Sequence, residues 1–122
     1  MASFEDAYQG NNHTSALTDL LFTALARSPD LLPFGELLEP LAARDQLKRT
    51  DLVRTLRIYL DEGANATKAA DRLFLHRNSM LYRLARIEEL TGLDLKDHRV
   101  ALALQLGLLA NERGERRATQ HP

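Results

Sequence analysis

The 122-residue chain has no cysteine, which excludes disulfides, thiolate zinc sites and cysteine nucleophiles at once and fits a reducing compartment. No stretch reaches the roughly 18 consecutive apolar residues that a membrane span requires. Residues 1–15 lack the basic region and apolar core of an export signal, so the expected location is the cytoplasm, with no membrane partner. Asn12-His13-Thr14 and Asn65-Ala66-Thr67 match the glycosylation sequon, but without export Asn65 reads better as a helix cap. There is no glycine-rich phosphate loop, and the four histidines, His13, His76, His98 and His121, are scattered with no i, i+4 pair to hold a metal. Glu88-Glu89 and Asp61-Glu62 fall at expected helix ends, where carboxylates are most simply solvated. No catalytic residue, cofactor or metal is expected.

What is present is ordinary globular composition, 44% hydrophobic and 27% charged, in a length that removes about two thirds of the unfolded surface from water. The net charge of −1 conceals an uneven distribution. Residues 1–64 carry six positive and ten negative side chains. Residues 65–87 carry Lys68, Arg72, Arg77, Arg83 and Arg86 against Asp71 alone. A basic patch on an acidic body is the footprint of a module that meets phosphates with one face.

The hydrophobic periodicity predicts helices throughout and an all-α bundle. Leu17, Leu20, Leu21, Ala24 and Leu25 trace one face of a helix over about 16–27, stopped by Ser28-Pro29-Asp30. Pro40 is tolerable only in a first turn, which predicts short helices over about 34–39 and 40–46. Thr50 or Asp51 is placed to cap a helix containing Leu52, Val53, Leu56, Tyr59 and Leu60, closed by Gly63. Asn65 then caps a helix of about 66–74, Leu75-His76 connects, and a longer helix runs over about 77–91 before Gly92. The closing helix, with Val100, Leu102, Ala103, Leu104, Leu106, Leu108, Leu109 and Ala110, is apolar almost all round and must be buried on most sides. An isologous dimer is the simplest way to bury it; the alternative is a central helix wrapped by its own chain.

Two short helices joined by a tight connection, the second with a split surface, outline a helix-turn-helix. At 100° per residue Ser79, Tyr82, Arg83 and Arg86 share one sector, and Met80, Leu84 and Ile87 form a separate stripe. Small Ala69 and Ala70 would let the first helix sit close against that stripe. A recognition helix offers its first two turns to the major groove, here His76, Arg77, Asn78, Ser79, Tyr82 and Arg83. Arg77 matches guanine and Asn78 matches adenine in donor and acceptor geometry. Ser79, Tyr82 and Arg83 suit phosphates equally well. Thr67 and Lys68 stand at a helix N-terminus that favours an anion. Arg86 lies farther along and reads equally as a surface residue, and His76 as a cap or packed ring. An isolated helix face with Arg and Ser is usually just solvated; the surrounding caps, paired alanines and short connection favour the DNA reading.

The run from Asp51 to Ala110 resembles the C-terminal helix-turn-helix domain of PucR and CdaR type bacterial transcription regulators. The resemblance is carried by Leu56-Arg57-Ile58-Tyr59-Leu60, Gly63, Asn65, Ala69-Ala70, His76-Arg77-Asn78, Tyr82-Arg83-Leu84 and Ile87-Glu88-Glu89-Leu90-Thr91-Gly92. Ser79 stands where threonine is usual and keeps the hydroxyl, while Leu81 occupies a site often basic in relatives. The resemblance implies a Fis-like fold, sequence-specific binding to double-stranded DNA, and a longer N-terminal sensory region elsewhere. On that reading the chain is a C-terminal fragment, with a stand-alone small regulator as the alternative, and no small-molecule effector is expected to bind it.

The expected organisation is therefore a disordered arm over 1–15, a helical segment over 16–49, the helix-turn-helix domain over 50–111 and a flexible tail over 112–122. The expected function is DNA binding by a homodimer, with the helix over 77–91 in the major groove. Two other readings remain: a helical dimerisation or protein-docking module that does not bind DNA, and an architectural binder with little sequence preference.

Overall fold

The structure is a computed structural model that describes residues 11–27 and 29–120. Within them the chain is helical, with no strand. The elements are α1 (Asn11–Ala26), a 3-10 turn (Pro29–Leu31), α2 (Leu32–Gly35), a second 3-10 turn (Glu36–Leu38), α3 (Glu39–Lys48), α4 (Leu52–Asp61), α5 (Ala66–Leu73), α6 (Arg77–Thr91) and α7 (His98–Gln120).

Two of these helices extend beyond the bounds that the sequence pattern predicts. α1 begins at Asn11, inside the segment expected to be an arm, and α7 continues to Gln120 through the expected tail; residues 1–10 lie outside the described residues. The short helices come out as α2 and α3 with a 3-10 turn between them, and Pro33 and Pro40 each sit in a first turn, where the missing amide has no helical partner to lose.

The core is built from Leu38 and Leu41, from Leu52, Leu56, Tyr59 and Leu60 of α4, from Ala69 and Ala70 of α5, and from Met80, Leu84 and Ile87 of α6. Leu95, Leu104 and Leu108 complete it. Ala69 and Ala70 are buried where α5 meets its neighbours, as small residues at a close helix crossing should be. Burial pushes the Tyr59 phenol above its ordinary range, and the nearby Glu88 and Asp94 carboxylates push it the same way.

α7 is wrapped largely by its own chain. It packs on α2, on both 3-10 turns, on α1 and on α4, and Leu104, Leu108 and Ala110 are buried. Gly107 permits the close approach to α2, because a Cβ there would overlap the carbonyl oxygen of Phe34. Burial of α7 therefore calls for no second copy over most of its circumference, although Leu102 remains 55% exposed. The stripe on α1 behaves oppositely to its pattern: Leu17, Leu20 and Leu21 face solvent.

α4 begins with a cap that the local pattern does not reveal. Asp51 occupies the cap position but makes no side-chain cap hydrogen bond. The carboxylate of Asp45, on α3, accepts from the amides of Leu52 at 2.7 Å and Val53 at 2.9 Å instead. The same carboxylate accepts from the Thr50 hydroxyl, so the α3–α4 corner is clasped by one side chain. Arg49 in that corner is held in the left-handed region at φ 53°.

Candidate nucleic-acid interface

The α5–α6 pair is delimited by local chemistry. Gly63 and Ala64 both take positive φ as α4 ends, and the Ala64 amide donates back to the Tyr59 carbonyl at 2.9 Å. Asn65 then caps α5, its side-chain oxygen accepting from the Lys68 amide at 3.0 Å. Phe74 closes α5 in the left-handed region at φ 56°, and its amide and that of Leu75 donate into the last turn of α5. Leu75 and His76 lie between the two helices, His76 with an extended backbone, and α6 starts at Arg77. Gly92 ends α6 at φ 70°, a conformation that glycine adopts without a steric cost.

α6 is split as its periodicity predicts. Met80 and Ile87 are fully buried and Leu84 nearly so. Arg77, Asn78, Ser79 and Tyr82 are exposed. The buried stripe fixes the rotation of α6, so those four side chains project from a rod that cannot turn. Thr67 and Lys68 are exposed on the first turn of α5, and His76 occupies the cap position of α6, exposed and without a side-chain cap bond.

Arg83 and Arg86 are less free than the sequence indicates. Arg83 donates from a terminal nitrogen to the hydroxyl of Thr55 on α4 at 3.0 Å, and Thr55, itself fully buried, donates to the Asp51 carbonyl at 2.6 Å. Arg86 pairs with Glu89 one turn along at 2.8 Å. Arg72 lies 3.9 Å from both Asp61 and Glu62 at the end of α4. Lys68 and Arg77 have no acidic partner among the described residues. Thr55 is the participant that the sequence reading missed; a threonine inside an amphipathic helix carries no signal of a partner 28 residues away.

Beside α6 lies an open cleft of about 730 Å³, bordered by Asn78, Ser79, Tyr82, Arg83 and Arg86 on the helix and by Arg44, Arg49, Thr50 and Asp51 from the α3–α4 corner. Tyr82, 71% exposed, stands in it with its ring accessible. Among the described residues there is no cluster of metal-ligating side chains, and no helix is long and apolar enough to cross a membrane.

The family model of the PucR C-terminal helix-turn-helix domain matches residues 52–110, from the first residue of α4 into α7. Over those residues the chain is similar to that family's DNA-binding domain. It is 41% identical to the proline-responsive transcriptional activator PutR of Bacillus subtilis (strain 168) over 69 residues, 57% of this chain and 17% of that protein. To the purine catabolism regulatory protein of the same organism it is 37% identical over 75 residues, 62% of this chain and 14% of the relative. With the carbohydrate diacid regulator of Escherichia coli (strain K12) it shares 38% identity over 79 residues, 64% of this chain and 20% of the relative. The chain thus spans a fifth or less of the length of these relatives. No solved structure matches it.

The PucR-type domain accounts for α4 to α6 and the first half of α7. The five helical pieces before it among the described residues, whose last one and the corner after it supply Arg44, Asp45 and Arg49, lie outside the matched residues.

Proposed function

We propose that the chain is a sequence-specific DNA-binding domain of a bacterial transcription regulator, and that it lays α6 in the major groove. The observation that carries this reading is the fixed rotation of α6: Met80, Leu84 and Ile87 are buried beneath it while Arg77, Asn78, Ser79 and Tyr82 project outward on its first two turns. Arg77 and Asn78 read base edges. Ser79, Tyr82, Arg83 and Arg86 hold phosphates on one side, and Thr67 and Lys68, at the N-terminus of α5, hold them on the other, with His76 beside them. The partner is double-stranded DNA; similarity to a transcriptional activator and to two regulators supports that reading.

The domain acts as a homodimer on two half-sites about 34 Å apart, or a multiple of that spacing. Within one chain Leu17, Leu20 and Leu21 of α1, with Leu32 and Leu102, are exposed apolar side chains that a second copy would cover. Sedimentation of the chain alone and with Leu20→Glu reports the association: a change from dimer to monomer supports an α1 interface, and a monomeric wild type rejects it.

Selection of bound duplexes from a random pool tests specificity and spacing together. A defined motif, repeated at one spacing, is the expected result; recovery of random sequence rejects base reading. Phe74, 96% exposed, and Leu81, 42% exposed, are apolar side chains beside the proposed contact face and favour a protein-docking module as the second reading. Duplex affinity that falls steeply with added salt supports DNA binding, because phosphate contacts release counterions.

A further inference from the structure

The cleft beside α6 has a wall that the helix-turn-helix does not provide. We propose that Arg44 and Arg49, from the segment preceding residues 52–110, grip backbone phosphates of the DNA strand that borders α6. This rests on the reading of α6 as the helix that faces DNA.

Four arginines, Arg44, Arg49, Arg83 and Arg86, border the same open cleft. Like charges gathered at one opening are favourable only when an anion sits among them. The acids nearby are already engaged: Asp51 pairs with Arg54 at 3.3 Å, and Asp45 accepts from the amides of Leu52 and Val53. Arg83 and Arg86 are held by Thr55 and Glu89. Arg44 and Arg49 border the cleft with no ion pair to an acid among the described residues.

The wall is also rigid. Asp45 clasps the corner through three hydrogen bonds, and Arg49 leaves it from a backbone fixed in the left-handed region at φ 53°. Because Asp45 takes the first amides of α4, the attraction for an anion comes from the arginines rather than from that helix end. The cleft is open, a shape that accepts a strand running through it, and Tyr82 and Asn78 on its other wall project from the helix assigned to the groove. A phosphodiester strand lying there would be held from both sides.

The test uses the full chain and a duplex that the wild type selects, titrated over a range of salt concentrations. Each lost phosphate contact lowers the slope of log affinity against log salt by about 0.9 for B-form DNA. Arg49→Gly removes one charge and relieves the left-handed backbone, so its melting temperature stays equal or rises while the slope becomes shallower by about 0.9. Adding Arg44→Ala doubles the change, and the ranking among duplex sequences stays the same, as phosphate contacts carry no base information. Lysine at both positions restores the slope, and Lys96→Ala, an exposed charge outside the cleft, leaves it unchanged. A wild-type slope in the Arg44→Ala, Arg49→Gly protein overturns the proposal and leaves the reading of α6 intact. A wild type that binds no duplex overturns the reading of α6 and this proposal with it.

Discussion

Arg83 on α6 donates to the hydroxyl of Thr55 on α4 across 3.0 Å, tying the exposed helix to the core helix beneath it. A guanidinium has five N–H donors, so one bond to Thr55 positions the group and leaves the others for phosphate. The two roles separate by mutation. Thr55→Val keeps the buried volume and removes the tie; it costs about 0.5–1.5 kcal/mol of stability and lowers duplex affinity a few-fold with the salt slope unchanged. Arg83→Ala removes tie and charge together and lowers the slope by about 0.9 as well. Thermal melting and a salt titration of both proteins check this, and equal slopes in the two variants would deny Arg83 a phosphate contact.

Asp45 does for α4 what a cap residue ordinarily does from within its own turn. Loss of a side-chain cap costs about 0.5–2 kcal/mol, and here two amides lose their acceptor together. Asp45→Ala is therefore expected near the upper end of that range. Asp51 occupies the cap position without capping, and its exposed pair with Arg54 has side chains 62% and 49% accessible, so Asp51→Ala changes stability by less than about 1 kcal/mol. Denaturant unfolding of the two single variants measures the difference; equal losses would put the cap on Asp51.

The contrast between these two aspartates shows what the sequence makes legible. Asn65 and Gly92 act on residues within a few positions of themselves, and the bounds of α5 and α6 could be read from them. The buried stripe of α6 was equally visible, because Met80, Leu84 and Ile87 repeat at the helical period. Asp45, Thr55 and Gly107 act on partners brought close only by the folded chain, so nothing in their neighbours marks them. Arg44 and Arg49 were hidden for another reason: they sit in a stretch where acids balance bases, and only the corner at Asp45 turns them toward α6. The α1 stripe shows the reverse error, a helical pattern of leucines that the single chain does not bury.

At Gly107, α7 passes close against the backbone of α2. An added methyl group there meets backbone at Phe34, and backbone cannot rotate away as a side chain can. Gly107→Ala must push α7 off α2, and overpacking of this kind costs about 1–3 kcal/mol, more than the gain in helix propensity of about 1 kcal/mol. A net loss in thermal stability is expected, whereas Gly35→Ala, whose Cβ would rest 3.4 Å from that of Ala110, is tolerated far better. Comparable melting temperatures for the two variants would mean that the helices have room to part.

Arg77 opens α6, exposed and without an acidic partner among the described residues, one residue before Asn78. Its position discriminates between base reading and phosphate holding more sharply than any other in the domain. A side chain bonded to two acceptors on one guanine contributes about 1–3 kcal/mol of discrimination. Arg77→Ala then weakens the selected duplex by roughly 5- to 150-fold and flattens preference at a single base position, while other positions keep theirs. A phosphate contact would instead weaken all duplexes alike and reduce the salt slope by about 0.9. Lysine at this position supplies the charge but not the planar fork, so Arg77→Lys recovers the salt slope in the second case and fails to recover the lost base preference in the first. Affinities for the selected duplex and its single-position variants, at two salt concentrations, decide between them; a uniform loss removes Arg77 from the residues that read sequence.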